Sequence, residues 1–337
     1  MKLVVQIPCR DEEETLPRTL SELPRSLPAF DVVEWILVDD GSRDRSVEVA
    51  RSGGVDEVVS LPGRRGLASA FLAGLEAALR RGADVVVNTD ADNQYCAADM
   101  VRLVQPIVEG RADMVVGERP AEAAAFSPGK RWLQRLGSAV VRWVSGTAVR
   151  DATSGFRAYS REAALQVNLF SRFSYTLETI IQLGLRRARI ASVPVRVNPV
   201  SRPSRLYRSV PEFVLRQALT ILRILVIYRP FEVFAWPGAL LFLLGLVPGV
   251  RFLALYATRG GQGHVQSLIL CAILLSVGAL LLLAGTLASV IAANRILLED
   301  VRVRLRRLES ARPVALSGSA GPQPVAVGES SWAGRRS

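Results

Sequence analysis

Ala83-Asp84-Val85-Val86-Val87-Asn88-Thr89-Asp90-Ala91-Asp92-Asn93-Gln94 joins a run of valines directly to a cluster of carboxylates and amides. The valines read as a strand buried on both faces, and the acids arrive at its carboxyl end. The same pairing occurs twice upstream. Leu3-Val4-Val5-Gln6-Ile7 runs into Pro8-Cys9-Arg10-Asp11-Glu12-Glu13, and the strand Val33–Asp39 runs into Asp39-Asp40-Gly41-Ser42. Two further runs, DEVVSL at 56–61 and ADMVVG at 112–117, are strand candidates. Helical patterns separate them, most clearly over Gly66–Arg81, where Leu67, Ala70, Phe71, Gly74, Leu75 and Ala78 make an apolar stripe. Strands alternating with helices predict an α/β domain over residues 1–206, with a Rossmann-like, mostly parallel sheet. Ligands bind such sheets outside the carboxyl ends of the strands, where the three acidic loops fall.

Past this domain the pattern changes. Over Val210–Tyr228, Arg208, Glu212, Arg216, Thr220 and Arg223 recur every three or four residues opposite Phe213, Val214, Leu215, Leu222, Leu225 and Val226. Residues 207–229 therefore read as an amphipathic helix lying in a membrane interface, with a core helix of the domain as the alternative. Val233–Val250 is uncharged, and 18 residues at about 1.5 Å each span about 27 Å, close to the hydrocarbon thickness. A second uncharged run covers Val265–Ala293. Two transmembrane helices over 230–296 return the chain to the side it left. The expectation is an integral, multi-pass protein in the lipid bilayer with its N-terminal domain on the cytoplasmic face. Arginines flank the apolar runs as the positive-inside rule requires. Residues 297–337 read as a basic tail, disordered where Gly, Ser, Pro and Ala dominate from Pro313 onward.

Half of the 337 residues are hydrophobic and the net charge is +11, carried almost wholly by arginine; lysine occurs only at Lys2 and Lys130. That bias is one of genomic composition before it is one of function, and no nucleic-acid partner is expected. Cys9, Cys96 and Cys271 lack metal-ligand spacing, and the single histidine, His264, lies between the apolar runs. Zinc sites and His-based nucleophilic catalysis are disfavoured. The sequence also lacks G-x-G-x-x-G and G-x-x-x-x-G-K, which argues against a dinucleotide oxidoreductase and an ATPase.

Asp90, Asp92 and the amide of Gln94 lie within one turn. Mg²⁺ or Mn²⁺ is commonly held by one or two carboxylates together with phosphate oxygens, so the group suits a metal–diphosphate site. Alone, D-x-D is weak evidence, because acids are common in turns.

In company it is specific. IPCRDEEETLP, LVDDGSRD, GLASAF, NTDADNQY, DATSGFRAY and SRPSRLYRS follow one another along the first 230 or so residues. In these motifs the chain resembles the family-2 glycosyltransferases of the GT-A fold, and within them the polyprenyl-phosphate sugar synthases of the dolichol-phosphate mannose synthase type. The resemblance implies inverting transfer of a sugar from a GDP- or UDP-sugar to dolichyl or undecaprenyl phosphate. It places Pro8, Arg10, Glu12, Asp39, Asp40, Asp90 and Ala91 in the nucleotide-sugar pocket, although the family usually has tyrosine or asparagine where this chain has Arg10. Asp90, Asp92 and Gln94 would hold the metal, and Asp90, Asp92 and Arg119 would carry catalysis. Arg119, Arg135, Ser138, Arg157, Arg202, Ser204 and Arg205 would receive the acceptor phosphate, because arginine forks bind phosphate oxygens in pairs. Glu178 falls near the place of an acidic base in relatives with hydroxyl acceptors. A polyprenyl phosphate, already ionised near pH 7, needs no base, so Glu178 either orients the sugar or begins a helix.

Two other readings stay open. A polysaccharide synthase or a transferase to a lipid-linked hydroxyl would share the donor site, but Gln134 and Trp143 in QRLGSAVVRW do not have Q-x-x-R-W spacing. A membrane-tethered nucleotide-sugar sensor would bind without turnover. Assembly of identical chains is compatible with all three.

Overall fold

Strands that are apolar on both faces need cover on both faces, and the chain provides it. A computed structural model describes residues 1–120, 128–169, 175–198, 219, 222–223, 225–259 and 265–311. The strands β1 (Lys2–Cys9), β2 (Val32–Asp39), β3 (Glu57–Ser60), β4 (Val85–Asn88), β5 (Met114–Glu118), β6 (Arg157–Ser160) and β7 (Ile190–Pro194) form one sheet in the order β3-β2-β1-β4-β6-β5-β7. Around them lie α1 (Leu16–Glu22), α2 (Ser46–Ser52), α3 (Leu67–Arg80), α4 (Met100–Val108), α5 (Pro128–Ser145), α6 (Arg161–Gln166) and α7 (Tyr175–Leu185).

Alternate residues of each strand feed two cores. Val4, Ile36, Val38 and Val86 pack with Phe71 and Leu75 of α3 and Ile180 of α7. Leu3, Val5, Ile7, Leu37 and Val87 pack with Leu16 and Leu20 of α1 and Leu103 of α4. Each such side chain contributes about 1.5–3 kcal/mol by leaving water, so a one-residue slip in register would be costly.

All five strand candidates are strands, and the expected helix over Gly66–Arg81 is α3. Two strands were not anticipated. β6 enters antiparallel between β4 and β5, and β7 pairs with β5 at the sheet edge. The order β2-β1-β4 makes neighbours of the three strands that end in acidic loops.

The C-terminal part consists of α8 (Pro230–Arg259) and α9 (Val265–Ala311), both long and apolar enough to cross a membrane. Trp236 is 73% exposed and Ile291 69%. The two helices run antiparallel along a glycine seam. A Cβ on Gly278 would lie 2.7 Å from the Phe242 nitrogen and 2.8 Å from the Gly238 oxygen, so the backbones touch where side chains are missing. The helix α9 does not stop at the expected boundary. It continues to Ala311, so residues 297–311 of the expected basic tail are helix, and the part expected to be disordered, from Pro313, lies outside the described residues. Of the amphipathic helix expected over 207–229, only 219, 222–223 and 225–229 are described. Leu225 and Tyr228 pack against the domain core, while Leu219 and Leu222 are exposed.

Gly278→Leu is expected to force α8 and α9 apart and lower the stability of detergent-purified protein by about 1–3 kcal/mol, read from thermal unfolding. Leu283→Ala, on an exposed position of α9, should change it by less than about 0.5 kcal/mol.

Candidate active site

The acidic turn after β4 is held from both sides. The hydroxyls of Thr15 and Thr19 on the β1–α1 side donate to the Ala91 carbonyl at 3.2 and 2.9 Å. The Asp92 carboxylate accepts from its own turn, from the Gln94 nitrogen at 3.2 Å, and Asn93 takes a left-handed φ of 55°. The Gln94 carbonyl in turn accepts from the Asn198 nitrogen at 2.8 Å.

On the far side lies the turn before β6. A Cβ on Gly155 would sit 2.5 Å from Asp90 Oδ2, so glycine there lets the backbone approach the carboxylate. The Gly155 nitrogen donates to the Tyr95 hydroxyl at 2.9 Å, and its carbonyl accepts from Asn88 Nδ2 at 2.8 Å. Asn88 also donates to the Tyr175 hydroxyl at 2.9 Å and accepts from Gln6 at 2.9 Å. These buried polar partners fix the height of the turn beneath the acids.

Burial pushes the Asp90 carboxyl up to about 7, and the charge of Asp92 adds to the shift, while Arg119 and Arg157 oppose it. Even with these two arginines nearby the Asp90 carboxyl stays raised, so the turn gains from further positive charge at neutral pH. That need fits a divalent cation. Among the described residues no group of three or more His, Cys, Asp or Glu could hold a metal by itself. The pair therefore suits a cation that completes its shell with phosphate oxygens and water, as Mg²⁺ and Mn²⁺ do.

The two neighbouring loops are organised by their acids. Asp39 accepts from the Ser42 nitrogen at 2.9 Å and closes its own turn. Asp40 accepts from the Arg65 nitrogen at 2.6 Å and the Gly66 nitrogen at 3.0 Å. Asp40, expected in the nucleotide pocket, holds the loop that starts α3. Glu12 accepts from the Thr15 hydroxyl at 2.7 Å, Arg10 lies 3.5 Å from Asp11, and Pro8 is buried in β1.

The arginines expected to receive an acceptor phosphate divide sharply. Arg119, at the end of β5, makes a paired contact with Asp151 at 2.7 and 3.0 Å and donates to Thr153 at 2.8 Å. Burial works against the charge on Arg119, but the hydrogen bond to Asp151 and the nearby negative groups, Asp90 among them, raise its pKa further. Burial likewise opposes ionisation of Asp151, yet its bonds from Arg119 hold the carboxyl below its ordinary range. Arg119 is still a quarter exposed, and its charge is felt at Asp90.

Arg157 is a correction. It is fully buried and donates to the carbonyls of Ser154 at 2.6 Å, Thr176 at 2.6 Å and Ala152 at 2.8 Å, and to the Thr179 hydroxyl at 2.8 Å. Its fork ties the 151–155 turn to α7 and does not reach a surface ligand. Ser138 is also buried, on α5, with a hydroxyl that has no hydrogen-bond partner. The side chain of Arg135 and the residues Arg202, Ser204 and Arg205 lie outside the described residues. Glu178 is 3% exposed, in the first turn of α7, and accepts from the Tyr228 hydroxyl at 3.4 Å. Thr15, Thr19, Tyr95, Asp151 and Gly155 were missed as parts of the site. The signal for the last two was already present in DATSG.

Residues 4–167 match the profile of the family described as glycosyl transferase family 2. An uncharacterized glycosyltransferase of Mycobacterium bovis is 32% identical over 201 residues, covering 58% of this chain and 85% of the relative. The chain belongs to glycosyltransferase family 2. This family-2 glycosyltransferase is also 31% identical over 176 residues to a polyprenol monophosphomannose synthase of Mycolicibacterium smegmatis, spanning 50% of this chain and 65% of that protein. The fold is GT-A-like. Glucosyl-3-phosphoglycerate synthase of Mycobacterium tuberculosis, solved with Mn²⁺, UDP and glucosyl-3-phosphoglycerate, superposes with a TM-score of 0.50 at 24% identity, over 66% of this chain and 78% of that one.

A carboxyl whose pKa rises on folding destabilises the metal-free protein increasingly as pH climbs from its unfolded value near 4 to about 7. Asp90→Asn is therefore expected to raise the melting temperature of metal-free protein at pH 8, with the gain shrinking steadily toward pH 5. Arg157→Leu should lower stability by about 3 kcal/mol or more, because buried carbonyls lose their donors. Urea unfolding checks this; a variant of wild-type stability that lost only acceptor affinity would return Arg157 to the acceptor site.

Proposed function

We propose that this glycosyltransferase moves a hexose from a nucleoside diphosphate sugar, GDP-mannose or a UDP-hexose, to a polyprenyl phosphate at the cytoplasmic face of a membrane that α8 and α9 span. The observation that carries the reading is the occurrence, in one chain, of a partly buried Asp90–Asp92 pair within electrostatic reach of Arg119 and two helices of membrane-crossing length. The relative from M. smegmatis, named for synthesis on a polyprenol phosphate, supports the acceptor class. Mn²⁺ bound with UDP in the mycobacterial synthase supports a metal at the donor.

In this reading Asp90 and Asp92, with Gln94, would hold Mg²⁺ or Mn²⁺, which would supply positive charge to the leaving diphosphate. The chain's own residues do the rest. The turns carrying Glu12 and Asp39 border the nucleotide, and the Ala91 carbonyl, pinned by Thr15 and Thr19, fixes the turn against which the donor lies. Arg119 directs the acceptor phosphate oxygen, with Arg202, Ser204 and Arg205 adding donors from the segment before the membrane helices. That oxygen attacks the anomeric carbon from the face opposite the diphosphate. The new C–O bond forms as the old one breaks, so configuration inverts. No general base is required, because the phosphate is already ionised near pH 7. This leaves Glu178 free of a proton-transfer role and consistent with its place against Tyr228.

Purified protein given labelled nucleotide-sugars, polyprenyl phosphate and Mn²⁺ should form a chloroform-extractable sugar lipid. Asp92→Ala should lower kcat by about a hundredfold or more. Undiminished turnover in that variant would remove the acid pair from the chemistry. Product on a hydroxyl acceptor or on phosphoglycerate, with none on polyprenyl phosphate, would reassign the acceptor.

A further inference from the structure

Beyond Ala293 the helix α9 leaves its uncharged run and continues for 17 more residues from Arg295 to Ala311, about 25 Å, against the catalytic domain. The contacts follow one line. Arg295 lies over the Tyr228 ring at 4.5 Å, and the Tyr228 hydroxyl donates to Glu178 at 3.4 Å. Next, Glu299, only 6% exposed, pairs with Arg295 at 2.8 Å and with Arg186 of the α7–β7 turn at 3.1 Å; Arg186 also meets Asp300 at 3.2 Å. One turn on, Val303 is buried. Arg306 then donates to the Val167 carbonyl at 2.6 Å and to Glu76 of α3 at 2.8 Å, and Arg307 pairs with Glu162 of α6.

This line has a direction. Glu178 is one turn from Tyr175, whose hydroxyl meets Asn88 at the carboxyl end of β4. Glu162 and Val167 follow Ser160, which pairs with Val85 at the amino end of β4. The helix thus arrives at the crevice end of the sheet and leaves at the opposite end.

We propose that residues 295–311 are a strut that sets the height and tilt of the catalytic crevice over the bilayer, with Arg186, Tyr228, Arg295, Glu299 and Arg306 as its positioning residues. This rests on the proposed membrane span and lipid acceptor. A swinging domain on a flexible linker would present its crevice to the membrane only part of the time. A domain bolted along α9 presents it continuously, so the strut acts on capture of an acceptor embedded in the bilayer and not on chemistry. Ion pairs in series suit this task, since each fixes one point and together they define an axis.

The test uses the full chain in liposomes. Glu76→Arg with Glu162→Arg sets like charges against Arg306 and Arg307 at two partly exposed positions outside the site. It should raise KM for a long-chain polyprenyl phosphate in the bilayer about tenfold or more, with kcat and the KM for a short-chain, water-soluble prenyl phosphate unchanged. Adding Arg306→Glu with Arg307→Glu should restore the bilayer KM. Independently of any acceptor, Glu162→Cys with Arg307→Cys, whose parent side chains meet tip to tip, should be cross-linked in membranes by a short bis-maleimide. A reversed-charge variant with wild-type bilayer KM, or equal losses on both acceptors, overturns the strut, as does failure of the cysteine pair to cross-link. If the wild-type chain itself uses no polyprenyl phosphate, the acceptor reading fails. The strut is then decided by the cross-link and by whether the charge reversal raises amide hydrogen exchange over 295–311.

Discussion

Two partly buried carboxylates, Asp90 and Asp92, must be held in one turn at the end of β4. Neither burial nor like charge favours this, and the Asp90 carboxyl responds by taking a proton up to about pH 7. The surrounding architecture counteracts the strain. Gly155 gives Asp90 room that any Cβ would fill. Arg157 fastens the 151–155 turn from inside the domain and adds positive potential from below, while Arg119 adds it from the open side. Asp151 holds Arg119 in place. The acids, the two arginines and the glycine turn form one electrostatic unit, built from three strand ends that the sheet order places together.

Much of this unit was legible in the chain. Valine and isoleucine runs ending in acids gave the strands of the parallel half and located the crevice, because buried strands and acidic turns are both local patterns. The parts that escaped are those whose meaning lies in distant partners. Arg157-Ala158-Tyr159-Ser160 has neither alternation nor a β-branched run, and becomes a strand only because β4 and β5 offer edges to it. Arg157 itself looks like a phosphate ligand in any list of arginines; its carbonyl partners lie at Ala152, Ser154 and Thr176, and only folding gathers them. Asp40 likewise carries the composition of a ligand-binding acid and serves the backbone of Arg65 and Gly66.

The same distinction separates family from substrate. The fold is shared with a transferase of another acceptor class: the mycobacterial synthase has it while holding glucosyl-3-phosphoglycerate. Fold alone therefore does not choose an acceptor. Beyond the family-matched residues this chain carries α8 and α9, long and apolar enough to cross a membrane, with exposed apolar surfaces and a glycine seam between them. The acceptor reading draws on that part of the molecule, and the donor reading on the other.

A net charge of +11 invites a search for one large basic surface. Among the described residues the structure shows another use, because many of the arginines are paired with carboxylates of the same chain. Arg119 is joined to Asp151, Arg186 to Glu299, Arg196 to Asp99 and Arg306 to Glu76, while Arg157 is buried among carbonyls. Arginine suits these positions because its planar fork satisfies two or more acceptors while remaining charged. Charge used in this way orients parts: a turn against a helix, a strand end against the crevice, a long helix against the domain. The basic excess is what this pairing leaves over, and Arg119, bound to Asp151 yet a quarter exposed, shows how one fork can serve a joint and still reach solvent.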